Sequence, residues 1–240
     1  MNQGYLKFLA GSGESMSHEA AECFEQMVQK FPNSSKLAAA LGDVYGDLVN
    51  QGCNEYKDKL SRLTRENPSL VNVALQQAYS LQEGHAEKSR SEYESDIQAL
   101  GSLYMEHRDK IDFAQTYAQG LVYLIQKQDK ESADKTLSIL RQVYKDNMGD
   151  RLVAARLSDG LRWNACKQDK NEVVKTIEEI KTIGEQYPGW SYFTTNMEFS
   201  IVEVCRHTPV GERGELLEKL HELEAEWKPA AGMAEELGKK

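Results

Sequence analysis

Residues 97–124 read IQALGSLYMEHRDKIDFAQTYAQGLVYL, two apolar stripes separated by a charged break. Ile97, Leu100, Leu103 and Tyr104 keep helical spacing as far as His107-Arg108-Asp109. Ile111, Ala114, Tyr117, Ala118, Leu121, Val122 and Leu124 then keep it again. Apolar residues at i, i+3, i+4 and i+7 line one face of a helix, so the stretch predicts two helices joined by a tight turn. The same beat recurs outward from it. Leu60, Leu100, Leu140, Ile180 and Leu220 stand 40 residues apart, and Leu63, Leu103, Val143, Ile183 and Leu223 repeat them three places on. Leu81, Leu121, Leu161 and Ile201 keep a third register. A fixed period of this size marks a solenoid, whose repeats are each too small to bury their own apolar face. The expectation is an all-α, right-handed α-α superhelix of about six antiparallel hairpins, one elongated domain over residues 1–240.

Helices are expected near 17–31, 34–51, 55–66, 69–84, 90–106, 109–127, 132–146, 150–167, 171–186, 190–206, 210–226 and 230–238. Asn67-Pro68 and Tyr187-Pro188-Gly189 punctuate them, because proline restricts the residue before it and does not continue a helix. Thr208-Pro209 reads as an N-cap followed by a first-turn proline. Ser89 or Ser91, Ser132 or Asp134, and Asn171 are the capping candidates elsewhere. Tyr5 to Leu9 resembles the tail of a helix lacking its partner, and Leu237-Gly238 opens a pattern that is not completed. The chain is therefore expected to be a piece of a longer array.

Composition narrows the function. No run approaches the roughly 18 apolar residues of a membrane span, so a cytoplasmic protein is expected. The net charge of −9, from 38 acids against 29 bases, disfavours nucleic acid, which needs clustered lysine and arginine. It disfavours anionic lipid surfaces too and suits a neutral or basic partner. Cys23, Cys53, Cys166 and Cys205 show no CxxC spacing and read as reduced thiols. Cys205 and His207 stand close, but no second pair completes a zinc set, so neither metal nor cofactor is expected. Catalysis is not expected either. Gly11-Ser12-Gly13 lacks the rest of a phosphate loop, and His18-Glu19 and His221-Glu222 are not followed by the second histidine of a zinc-protease motif.

Between residues 20 and 45 the spacing becomes specific. Ala20, Phe24, Met27 and Pro32 are followed by Leu41, Gly42 and Tyr45. This resembles the tetratricopeptide repeat, whose pattern places A-x3-F and a closing proline before W-x2-L-G-x2-Y. Ala38 occupies the tryptophan slot. Later units keep the phase while the residues drift, the small slot running Gly42, Ala78, Ala118, Ser158 and Glu198. The large Glu198 there is expected to disturb the fifth unit. The 40-residue period exceeds the family's roughly 34, the surplus falling between the two helices of a repeat.

The resemblance implies an extended peptide or partner helix docked in a concave groove lined by the second helix of each repeat. Carried onto this chain, the groove positions include Tyr79, then Gln115, Gln119, Val122 and Tyr123, then Ala155, Asp159, Arg162 and Trp163, then Tyr192 and Phe199. Gln115 and Gln119 suit hydrogen bonds to an extended backbone. Tyr79, Tyr123, Trp163, Tyr192 and Phe199 suit apolar side chains, aromatics being enriched at binding hot spots. Asp159 suits a basic group. Against this, aromatics on helices are more often core, and polar residues there are most often simply solvated. The family's clamp for carboxylate-terminated peptides is missing, since Lys36 is matched later by Asn72, Asp112, Leu152 and Tyr192. Two classes of function stay open. One is a non-catalytic protein- or peptide-binding scaffold. The other is a structural, self-associating or peptide-sensing module of a larger protein.

Overall fold

A computed structural model describes residues 14–83 and 85–226. The expected helix at 230–238, the segment Tyr5 to Leu9, Gly11 to Gly13 and Leu237-Gly238 lie outside the described residues, as do the side chains of Leu220 and Leu223. Among the described residues stand eleven α-helices, one short 3-10 turn and no strand. They are α1 Glu14–Lys30, α2 Ser35–Asn50, α3 Glu55–Glu66, α4 Val71–Gln82, α5 Arg90–Glu106 and α6 Ile111–Lys127. Then come α7 Lys130–Asp146, α8 Arg151–Ala165, α9 Lys170–Gly184, α10 Tyr192–His207 and α11 Gly214–Glu226, the 3-10 turn Val210–Glu212 preceding the last. No helix among them is long and apolar enough to cross a membrane. Packing divides the chain into two compact units, Met1–Tyr117 and Ala118–Lys240, with the boundary inside α6.

In the first unit α1 packs on α2, α2 on α3 and α4, and α4 on both α3 and α5. Phe24, Leu41, Leu48, Tyr56, Leu60 and Val73 form the heart of its core. Gly42 stands where a side chain would collide. A β-carbon there would lie 2.9 Å from Val73 Cγ2, so the small slot of the sequence pattern marks the close approach of α2 to α4.

In the second unit side chains tie α7 to α9. Lys130 Nζ meets Glu172 at 2.6 Å, Arg141 holds Glu179 through two bonds of 2.7 and 2.6 Å, and the Tyr144 hydroxyl donates to Gln186 just beyond α9 at 3.0 Å. α8 packs on α7, α9 and α10, and α11 covers α9 and α10. The apolar registers face inward across both units. Leu60, Leu100, Leu140 and Ile180 are wholly buried, and Leu63, Leu103, Val143 and Ile183 nearly so. Leu121, Leu161 and Ile201 are buried as well, whereas Leu81 is only half-buried and Ile111 is exposed.

The turns inside the hairpins also repeat every 40 residues. Leu70 N bonds to Asn67 O, Lys110 N to His107 O, Asp150 N to Asn147 O and Trp190 N to Tyr187 O. Their side chains alternate in kind. Asn67 and Asn147 each return an amide donor to the helix before them, to Leu63 O at 3.0 Å and Val143 O at 2.8 Å. His107 and Tyr187 instead stack on Phe113 and Phe193, with ring centroids 4.6 and 5.8 Å apart. Gly149 and Gly189 take positive φ, a conformation that side chains disfavour.

Helix ends correct several expectations. Ser89 caps α5 in a full capping box, as one of its two candidates. Asp129, not Ser132 or Asp134, caps α7, and Asp169, not Asn171, caps α9. In both cases a carboxylate just before the helix accepts from amides of its first turn, the geometry that satisfies orphan donors. Thr208 closes α10, its hydroxyl donating to Val204 O at 2.8 Å, and Pro209 leads into the 3-10 turn instead of starting a helix. Glu198 is accommodated within α10 as a buried residue.

Replacing Leu140 by alanine removes a wholly buried side chain and is expected to cost about 2–5 kcal/mol. Urea unfolding of the full chain measures this, and a neutral result would place the stripe at the surface.

Candidate functional site

The residues with most chemistry lie along α8 and α10 in the second unit. Asp150 starts α8, its carboxylate accepting from Leu152 N at 3.0 Å and Val153 N at 2.8 Å. Further along α8, Asp159 faces α10. Asp159 Oδ2 accepts from the Tyr192 hydroxyl at 2.7 Å and from Arg156 at 3.3 Å. Its Oδ1 accepts from Asn196 Nδ2 at 3.2 Å, and the same amide reaches Ser158 Oγ at 2.9 Å. Asp159 is only 6% exposed. An unpaired carboxylate so placed would be costly, and this network supplies its partners. Both oxygens are therefore engaged within the chain, which corrects the expectation that Asp159 stands ready for a basic group on a ligand. Burial, reinforced by the hydrogen bond to Asp159, pushes the Tyr192 phenol up to about 12.

About one turn further along α8 the surface opens. The Arg162 guanidinium carbon lies 4.7 Å from the Trp163 ring centroid and 5.3 Å from that of Phe199 on α10. Arg162 Nε is buried and has no hydrogen-bond partner among the described residues. Trp163 is half-buried, while Phe199 remains 52% exposed on a helix whose inner face is full. Guanidinium groups over aromatic faces are held by the ring quadrupole, so the three side chains form a partly apolar platform with a positive charge.

A second pairing of this kind flanks the network. The Arg151 guanidinium lies 5.6 Å from the Trp190 ring, which stacks on Tyr192 at 5.2 Å. Sequence reasoning singled out neither residue, nor Arg156 and Asn196, and it gave Ser158 only as a small packing position. A signal existed for Trp190, which follows the turn residues Pro188 and Gly189 directly. Asn196 stands one helical turn beyond Tyr192, where it shares that residue's face.

The other expected positions are spread. Tyr79 and Gln115 belong to the first unit, Tyr79 being 38% exposed with its phenol pushed up by burial and by Asp112, and Gln115 half-buried. Gln119 and Tyr123, on the second half of α6, are half-buried in the second unit. Val122 and Ala155 are buried, so they belong to the core and not to an open face. Asp159 and Tyr192 are joined by a hydrogen bond, and the Arg162 guanidinium lies near the rings of both Trp163 and Phe199.

Comparison with protein-family models, with curated proteins and with solved structures gave no match.

The raised Tyr192 phenol has a pH signature. Its folded value of about 12 exceeds the ordinary 10, so its contribution to stability is complete below about pH 10 and is lost as pH rises towards 12. The stability gap between wild type and Tyr192→Phe is expected to be constant up to about pH 10 and to close above it. Urea unfolding of both proteins across that range measures the gap. A gap independent of pH would mean that neither burial nor Asp159 raises the phenol.

Proposed function

We propose that the chain is a non-catalytic protein- or peptide-binding scaffold, a right-handed superhelix of tandem hairpins similar to tetratricopeptide repeats. The observation that carries the reading is the platform of Arg162, Trp163 and Phe199, where a large aromatic ring stays half in water although the core beneath is closed. Aromatic and arginine side chains are the residues that most often dominate binding energy. The platform lies on the helices that the family resemblance assigns to the groove.

The partner is an extended, neutral or basic segment that lays an apolar side chain on Trp163 and Phe199. The overall acidity of the chain favours such a partner over nucleic acid or an anionic membrane. A non-catalytic role agrees with the state of two thiols. Burial pushes both Cys166 and Cys205 up, away from the thiolate that nucleophilic chemistry uses. Four cysteines outside any disulfide suit a reducing compartment such as the cytoplasm.

Screening the full chain against an array of extended peptides tests the proposal. Trp163→Ala and Phe199→Ala are expected to weaken the selected peptides about tenfold or more, near 1.4 kcal/mol, without lowering the melting temperature. Unchanged binding in both variants, or an array from which wild type retains nothing, would reject it. Sedimentation of the wild type that shows mass rising with concentration would favour the self-associating alternative.

A further inference from the structure

We propose that His18, Cys53 and Glu55 form a zinc(II) site in the first unit. The three residues come from different elements. His18 is on α1, Cys53 is in the turn after α2, and Glu55 is the first residue of α3. The turn is what brings them together. Gly52 takes φ of +93°, and Cys53 N then returns to bond Leu48 O at 3.0 Å, which tucks the thiol against the helices. Cys53 is buried, His18 half-buried and Glu55 exposed, so the cluster opens to solvent on the carboxylate side. One donor atom from each residue lies within 4.8 Å of the other two.

The distances suit a shared ion. Zinc bonds of about 2.3 Å to sulfur and about 2.0–2.1 Å to nitrogen, at a tetrahedral angle, put the two ligand atoms about 3.6 Å apart. Cys53 Sγ and His18 Nε2 are 3.7 Å apart. The other ring nitrogen, Nδ1, lies 2.8 Å from the Tyr56 hydroxyl. With Nε2 on the metal, Nδ1 carries the proton and donates it to Tyr56, the outer-sphere bond that fixes a histidine's tautomer and ring plane. Tyr56 is itself buried in the core, its ring 5.4 Å from that of Tyr45, so the orienting group is rigid.

The donor set is also balanced in charge. Binding releases the thiol proton of Cys53 to solvent, and thiolate plus carboxylate then neutralise the dication while the imidazole stays neutral. The fourth position is left to water. An ion held by three ligands on α1, the turn and α3 would tie the first helix to the second hairpin, and binding to the folded state alone raises stability by mass action.

Cobalt(II) titration of the full chain followed by visible and near-ultraviolet absorption tests the site. One equivalent is expected to give a thiolate-to-cobalt charge-transfer band with the intense visible bands of four-coordination, and zinc is expected to displace it and to raise the melting temperature. Cys53→Ala is expected to abolish the charge-transfer band, and Cys23→Ala to keep it. Tyr56→Phe is expected to weaken affinity about 10- to 100-fold with the band retained. Glu55→Gln, at an exposed position, weakens binding without threatening the fold and so serves if Cys53→Ala is unstable. Absence of the thiolate band in wild type would overturn the proposal. So would its survival in Cys53→Ala, or cobalt affinity unaltered by both Tyr56→Phe and Glu55→Gln, either of which would reduce the contact between His18 and Cys53 to a plain hydrogen bond.

Discussion

Gly160 has no side chain, and a β-carbon there would lie 2.6 Å from Leu140 Cδ2 and 3.2 Å from Ile125 Cδ1. That gap lets α8 settle at once against α7 and against Ile125, within the second unit. Leu140 is closed off completely as a result. A single hairpin has one apolar stripe per helix and too little surface to hide both, so each must borrow its neighbour's flank. The ionic ties between α7 and α9, Arg141 with Glu179 and Lys130 with Glu172, sit at the partly exposed margin of that packing. Such pairs contribute a fraction of what buried leucines do. They align the helices whose contact the apolar side chains drive.

Between α8 and α10 the same close contact is made with polar atoms. The slot that holds Gly42 and Ala78 in the first unit holds Ser158 in the second, and its hydroxyl accepts from Asn196 across the helix pair. Asp159 and Tyr192 extend the contact. A slide of α10 by one residue would leave a carboxylate, an amide and a phenol unpaired in a dry interface, each at a cost comparable to a lost buried hydrogen bond. This exactness of register holds Phe199 and Arg162 in place one turn away, so the exposed platform rests on a rigid floor.

The period, the helices and the buried registers were legible because burial recurs at fixed spacing and leaves a mark at every turn. The caps were less so. Which of several neighbouring aspartates and serines reaches a free amide depends on one or two dihedral angles, and Asp129 and Asp169 differ from Ser132 and Asn171 by only two or three places. Asp159 read as an acid suited to a ligand's basic group because its partner Tyr192 lies 33 residues on. Nothing in the spacing around either residue announces the pair. The same holds for His18 and Cys53, 35 residues apart. No local spacing pairs them, because the fold decides which distant side chains meet.

The hairpin turns keep a longer rhythm than the leucines. Asparagine with valine at one turn gives way to a stacked ring with phenylalanine at the next, as in Asn67 with Val73, His107 with Phe113, Asn147 with Val153 and Tyr187 with Phe193. Cores are filled to fixed volume, so a turn built for a small branched residue does not receive a ring without displacing its surroundings. The turn that carries Val153 and the turn that carries Phe193 are therefore not interchangeable, although they stand 40 residues apart.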